Sequence, residues 1–215
     1  MAADARVEAA RYALLRRLAP ALRHGLVGKL HPVGLMSETL VRRMRTAPEI
    51  EPARAGLEKI HELSRSAMTA CSSLITWLAP EEGDGVGLEE GMAECIDLLG
   101  TDLGMRGHNL RSELSGGQAR VSRSAVRNLL SAALIAQSDS LQRASDIVVR
   151  STKTPEAPEL TIEWSEADRE SMPSPDDAYR RLDWEEIQLL AGAESAQCTR
   201  AAGRITLRFT PMESA

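Results

Sequence analysis

Four histidines (His24, His31, His61, His108) and three cysteines (Cys71, Cys95, Cys198) are the side chains here best suited to nucleophilic or metal chemistry. A solvent-exposed imidazole is largely neutral near pH 7 and offers a ring nitrogen as nucleophile. His24 sits in the run Leu22-Arg23-His24-Gly25-Leu26-Val27-Gly28-Lys29-Leu30-His31-Pro32. Leu22 and Leu26 share one helix face, and His24 falls off it toward solvent. His31 lies two turns farther along roughly the same face, a second candidate nucleophile. Two histidines seven apart do not hold a metal without further ligands, and no cluster supplies them, so no metal site is expected. His61 and His108 are expected to be structural or exposed. The cysteines are odd in number and widely spaced, which fits neither a disulfide framework nor a zinc pairing. They are expected to be small buried apolar residues in a reducing cytoplasm. Arg23 and Lys29 flank His24 and either steer an acidic partner surface or solvate the helix. Arg42, Arg43 and Arg45 suit the C-terminal end of a helix dipole.

The elements that must position these groups follow from periodicity. From about Ala5 to Arg45, apolar residues recur every three or four positions: Leu15, Leu18, Leu22, Leu26, Leu30, Val33, Met36, Leu40 and Met44. Pro20 and Pro32 interrupt this helix and are expected to bend it. A turn at Thr46–Pro52 precedes a second helix to Leu78, with a seam of Leu57, Ile60, Leu63, Ala67, Cys71, Leu74 and Leu78. Two such helices form an antiparallel hairpin whose stripe is half covered. Pairing two hairpins into a four-helix bundle covers it, so a homodimer is expected.

A charged, Gly-rich linker is expected at 81–87. Beyond it the pattern predicts a helix at 88–106, a strand at 108–114, a helix at 122–138 and strands at 146–151 and 159–164. A loop is expected at 166–183, then a helix at 184–201 capped by Gly203 and a strand at 204–209. The predicted fold class is α+β: a helical hairpin at 1–80 followed by a small α/β sandwich at 86–215.

Composition agrees. Aromatic residues are only 3% of the chain, which favours a Leu- and Ala-built helical core. No apolar run approaches the ~20 residues needed to cross a bilayer, and no signal peptide is recognisable, so no membrane contact is expected. Residues 1–80 carry 12 Lys/Arg against 7 Asp/Glu, and the remainder 14 against 24. The basic first part could meet nucleic acid, but recognition motif and stacking aromatics are missing, so that partner ranks last.

The run around His24 resembles the phosphoacceptor box of bacterial histidine kinases, with His24, Leu26 and Leu30 matching and Gly28 and Pro32 resembling one proteobacterial variant. Arg127-Asn128-Leu129-Leu130-Ser131-Ala132-Ala133-Leu134 resembles the helix that carries the kinase N-box. Ala201-Ala202-Gly203-Arg204-Ile205-Thr206-Leu207 resembles the closing helix-to-strand element of the ATP domain. The resemblance implies a dimerising, phosphoacceptor hairpin and an ATP-domain-like sandwich. The departures imply that ATP is not bound. Ala132 stands where the family carries its magnesium-binding Asn, no Asp-x-Gly-x-Gly occurs, and Trp184-Glu185-Glu186-Ile187 replaces the phosphate-cradling glycines. Gly25 replaces the carboxylate beside the acceptor histidine and cannot act as a base.

Similar degenerate proteins serve as histidine phosphotransferases. By that resemblance His24 is the catalytic residue, relaying a phosphoryl group between response regulator aspartates, with Arg23, Leu26 and Lys29 meeting the receiver domain. No cofactor is expected. The alternative is a non-catalytic dimeric adaptor, a pseudokinase that binds a kinase or regulator.

Overall fold

The computed structural model describes residues 2–46, 50–78, 83–117, 119–152, 154, 156–169 and 179–212. It forms two compact units: residues 1–19 with 80–215, and residues 20–79. The sequence pattern groups residues 1–19 with the hairpin, whereas in space they belong with the α/β part.

Helix α1 (Ala2–Thr46) belongs to both units and runs unbroken through Pro20 and Pro32. Each proline removes one N–H donor, leaving the carbonyls of Arg16 and Gly28 without their usual intrahelical partner. In the second unit α1 continues to a hairpin with α2 (Ile50–Leu78). Residues 47–49, part of the expected turn, lie outside the described residues. Leu22, Leu40 and Ala67 are buried, and Leu26, Val33, Met36, Ile60, Leu63, Cys71 and Leu74 are half-buried. Gly56 lets the helices close up: a Cβ there would stand 2.9 Å from Leu40 Cδ1.

Leu30, Met44 and Leu57 depart from the expected seam and are exposed. A 3.6-residue helix drifts from a strict 3.5 repeat, so one stripe cannot hold all these positions. Leu30 and Met44 instead join Val27 and Val41 in a second exposed stripe, and Ile50, Leu57, Met68 and Ile75 are exposed on α2.

The first unit is a two-layer sandwich. Its sheet has the order β2-β4-β5-β7-β6, built from β2 (His108–Glu113), β4 (Ser145–Ser151), β5 (Glu159–Glu166), β6 (Gln197–Ala201) and β7 (Arg204–Arg208). Only β2 and β4 pair in parallel. One face carries Ile147, Val149, Leu160, Ile162, Ile205 and Leu207, all buried. Helices α3 (Leu88–Met105), α4 (Arg123–Ser140) and α5 (Trp184–Ala193) supply the facing side chains, among them Met92, Leu99, Leu129, Leu134, Ile187 and Leu190. The other face is laced with ion pairs: Arg150 with Glu113 and Glu163, Arg204 with Glu163, and Arg208 with Glu159. Alternation of apolar and charged residues thus assigns each strand its inner side.

Two expectations are corrected. The expected linker at 81–87 ends in strand β1 (Gly85–Gly87), which pairs with β3 (Arg120–Ser122) in a separate two-stranded sheet; residues 81–82 lie outside the described residues. The expected helix at 184–201 stops at Ala193, because Ser195 adopts a left-handed φ of 52° and residues 197–201 pair with β7. Gly203, with φ 73°, turns the β6–β7 hairpin and caps no helix. The expected loop at 166–183 lies partly outside the described residues, at 170–178.

Candidate functional site

His24 is exposed on α1, as its offset from Leu22 and Leu26 requires. Its surroundings are open: a Cβ built at Gly25 or Gly28 meets nothing within 4 Å. His31 is also exposed and lies on the same side of the helix, two turns on. Arg23 and Lys29 are exposed but do not share that side. Successive residues turn by 100°, so Arg23 points about 100° and Lys29 about 140° from His24. Leu26 is half-buried. The structure therefore presents the His24 imidazole with His31 on the same side and the two cations on flanking faces.

The helix that resembles the N-box is α4, started by Ser122, whose hydroxyl accepts from the Ala125 N–H at 3.3 Å. Two of its polar side chains, Ser124 and Asn128, are committed internally. Asn128 Nδ2 donates to Glu194 Oε1 at 2.8 Å, and Ser124 Oγ donates to Glu194 Oε2 at 2.7 Å. Arg11 Nη2, on α1, reaches Glu194 Oε1 at 3.2 Å, and the Glu194 side chain is only 8% exposed. Ala132 is fully buried and offers no ligand atom.

The acidic pair Glu185-Glu186 is also neutralised. Glu185 binds Arg6 at 2.6 Å. Glu186 completes a capping box with Asp183 and pairs with Arg180 at 2.5 Å, and the hydrogen bonds from Arg180 hold its carboxyl below the ordinary range.

Two further clusters lie outside the sequence motifs. Arg17 Nη2 binds Asp139 Oδ1 at 2.6 Å with both side chains 4% exposed, and Arg106 Nη1 reaches the same oxygen at 3.2 Å. The signal was present: Ala10, Ala13, Leu14, Arg17 and Leu18 follow the i, i+3, i+4, i+7, i+8 pattern of one helix face. All five are buried. Glu89 Oε1 accepts from Ser151 Oγ at 2.6 Å and from the N–H groups of Ser115 and Gly116 at 2.9 Å. The Ser151 bond, foremost, lowers the Glu89 pKa. No sequence spacing signals that cage, because its three segments are distant in the chain.

Cys95 and Cys198 are buried, and burial pushes both thiols up to about 12. Cys71 is half-buried. His108 is buried too, and burial, followed by the charges of Arg106 and Arg169, lowers its pKa. Among the described residues no group of three or more His, Cys, Asp or Glu could hold a metal ion. Among them no helix is long and apolar enough to cross a membrane.

No family model matches the chain, and no curated protein matches it. Among solved structures, the chain is similar to the Acinetobacter baumannii histidine kinase AdeS at 11% identity, covering 85% of this chain and 96% of that one, with a TM-score of 0.45. A bacterial phosphotransferase matches at 13% identity, 91% and 94% coverage and a TM-score of 0.42. The catalytic domain of histidine kinase ThkA matches at 12% identity, 61% and 100% coverage and a TM-score of 0.43.

Proposed function

We propose that this chain is a histidine-phosphotransfer protein of a two-component pathway, working as a cytoplasmic homodimer without ATP. The observation that carries the reading is the unobstructed His24 imidazole on the solvent side of a hairpin helix. A receiver domain can approach it in line. In transfer, the P–O bond of the regulator's aspartyl phosphate breaks as a P–N bond forms to a neutral ring nitrogen. The carboxylate leaves with the electron pair. The second ring nitrogen keeps its proton, so no base need act before attack. This step tolerates Gly25, where autophosphorylation from ATP would not.

Several features support the absence of nucleotide chemistry. Asn128 and Ser124 are consumed by Glu194, Ala132 has no ligand atom, and Glu185 and Glu186 would repel a triphosphate if freed. The α/β unit then serves as a docking surface, and Arg23, Leu26 and Lys29 form the rim of the receiver contact. The functional modules are the hairpin within residues 1–80 and the sandwich at 86–215. The second exposed stripe on α1 and α2 supports dimerisation: burying it would contribute about 25 cal/mol per Å² of apolar surface removed from water.

The test uses purified protein, a panel of phosphorylated response regulators and the His24→Ala variant. Acid-labile phosphate should appear on the wild type and vanish in the variant. A regulator that binds the dimer while no panel member transfers phosphate would favour the adaptor reading, which Gly25 supports by removing the acidic neighbour of His24.

A further inference from the structure

The first turns of α1 do something the phosphotransfer reading does not require. Arg6, Arg11 and Arg17 each meet an acidic side chain at the far end of the sequence or on α4: Glu185 at 2.6 Å, Glu194 at 3.2 Å and Asp139 at 2.6 Å. Between these ion pairs Ala10, Ala13, Leu14 and Leu18 are at most 1% exposed. Tyr12 meets Tyr179 edge-on at 6.0 Å, and the Arg16 guanidinium lies 5.3 Å from the same ring.

We propose that the α4–α5 side of the sandwich is a docking groove for an amphipathic, arginine-bearing helix, and that residues 2–19 occupy it as a removable strap. Three observations support removability. The partners lie 122 to 183 residues apart in the sequence, so tertiary contacts hold the segment in the groove. Pro20 follows it directly and deletes one rung of the helix ladder, which makes that point the natural hinge. The ionic keys are graded, from the exposed Arg6–Glu185 pair through the part-exposed Arg11 to the enclosed Arg17–Asp139 pair. The groove is acidic and the strap basic, so orientation and register are set by charge while the small Ala10 and Ala13 permit close approach. Because α1 is one helix, the strap ties the sandwich to the element that carries His24.

The test compares hydrogen exchange in the full chain and its Arg11→Glu/Arg17→Glu variant. Amides of residues 5–18 should exchange at least tenfold faster in the variant, and by a clearly larger factor than those at 147–149 and 160–162. A labelled peptide of residues 2–19 should then bind the variant saturably and the wild type weakly, since the wild-type groove is filled. The milder Glu194→Gln variant should accelerate exchange at 5–18 several-fold on its own. Unchanged exchange at 5–18 in both variants would overturn the charge-keyed strap. Parallel acceleration of strap and sheet in both would show an integral core helix instead. Equal peptide binding to wild type and variant, or none to either, would remove the groove.

Discussion

Replacing Arg17 or Asp139 separates a buried charge from its partner, and the structure ranks the two losses. Breaking a buried ion pair by removing one member costs about 3–5 kcal/mol, because the other charge stays desolvated. In Arg17→Met, Asp139 keeps Arg106 at 3.2 Å, and methionine refills the apolar stem, so the cost falls near ~3 kcal/mol. In Asp139→Asn, Arg17 and Arg106 both lose the carboxylate they share, although Arg106 keeps Asp102 at 3.0 Å. That cost lies near ~4–5 kcal/mol. The double variant should cost less than the sum of the singles by about 1–3 kcal/mol, as coupled neighbours do. Urea titration followed by tryptophan fluorescence measures all three, with an unchanged slope as the check that only stability moved. Two single losses below ~1 kcal/mol, or strict additivity, would refute the reasoning, because surface pairs behave that way.

Other expectations follow from particular positions. Gly25→Ala should stabilise the protein by about 0.5–1 kcal/mol, since the site is an open helix surface. The same change at Gly91 should destabilise it in the same denaturation assay, because the new Cβ would stand 3.0 Å from Val86 Cγ1 and 3.1 Å from Val126 Cγ1, both stiff side chains. Glu89 has a lowered folded pKa, so its carboxylate stabilises the fold above its ordinary value of 4.5 and that contribution fades as pH falls through the lowered one. Glu89→Gln should therefore be less stable than wild type at pH 7 and converge with it in acid, as thermal melts across pH would record. A thiol reagent at pH 7.5 should label Cys71 rapidly and Cys95 and Cys198 only after unfolding, since burial keeps both as neutral thiols.

Much of the fold was legible because its signals are local. The α4 stripe of Val126, Leu129, Leu130, Ala133 and Leu134 and the β-branched run Ile147-Val148-Val149 each announce their element without help from the rest of the chain. Strand β6 was not legible. Gln197–Ala201 follows an Ala-rich helix, and only pairing with β7 and the left-handed Ser195 separate the two. The strands β1 and β3 are three residues each, too short to show alternation. The exposure of His24 was readable from the offset to its leucine neighbours. The Glu194 cluster was not, because Arg11, Ser124 and Asn128 come from two helices that meet only in space. The division of α1 at Ala19 was half visible: the Ala10-Ala13-Leu14-Leu18 face differs from the Leu22-Leu26 seam, yet the leucine repeat bridges both and hides the change.

The most direct test of the central claim is to locate the phosphate. The wild-type chain would be incubated with a phosphorylated receiver domain, digested at alkaline pH and mapped by mass spectrometry. The account predicts a single phosphohistidine at His24. Phosphate at His31, at a serine, or nowhere with every receiver that binds would contradict it.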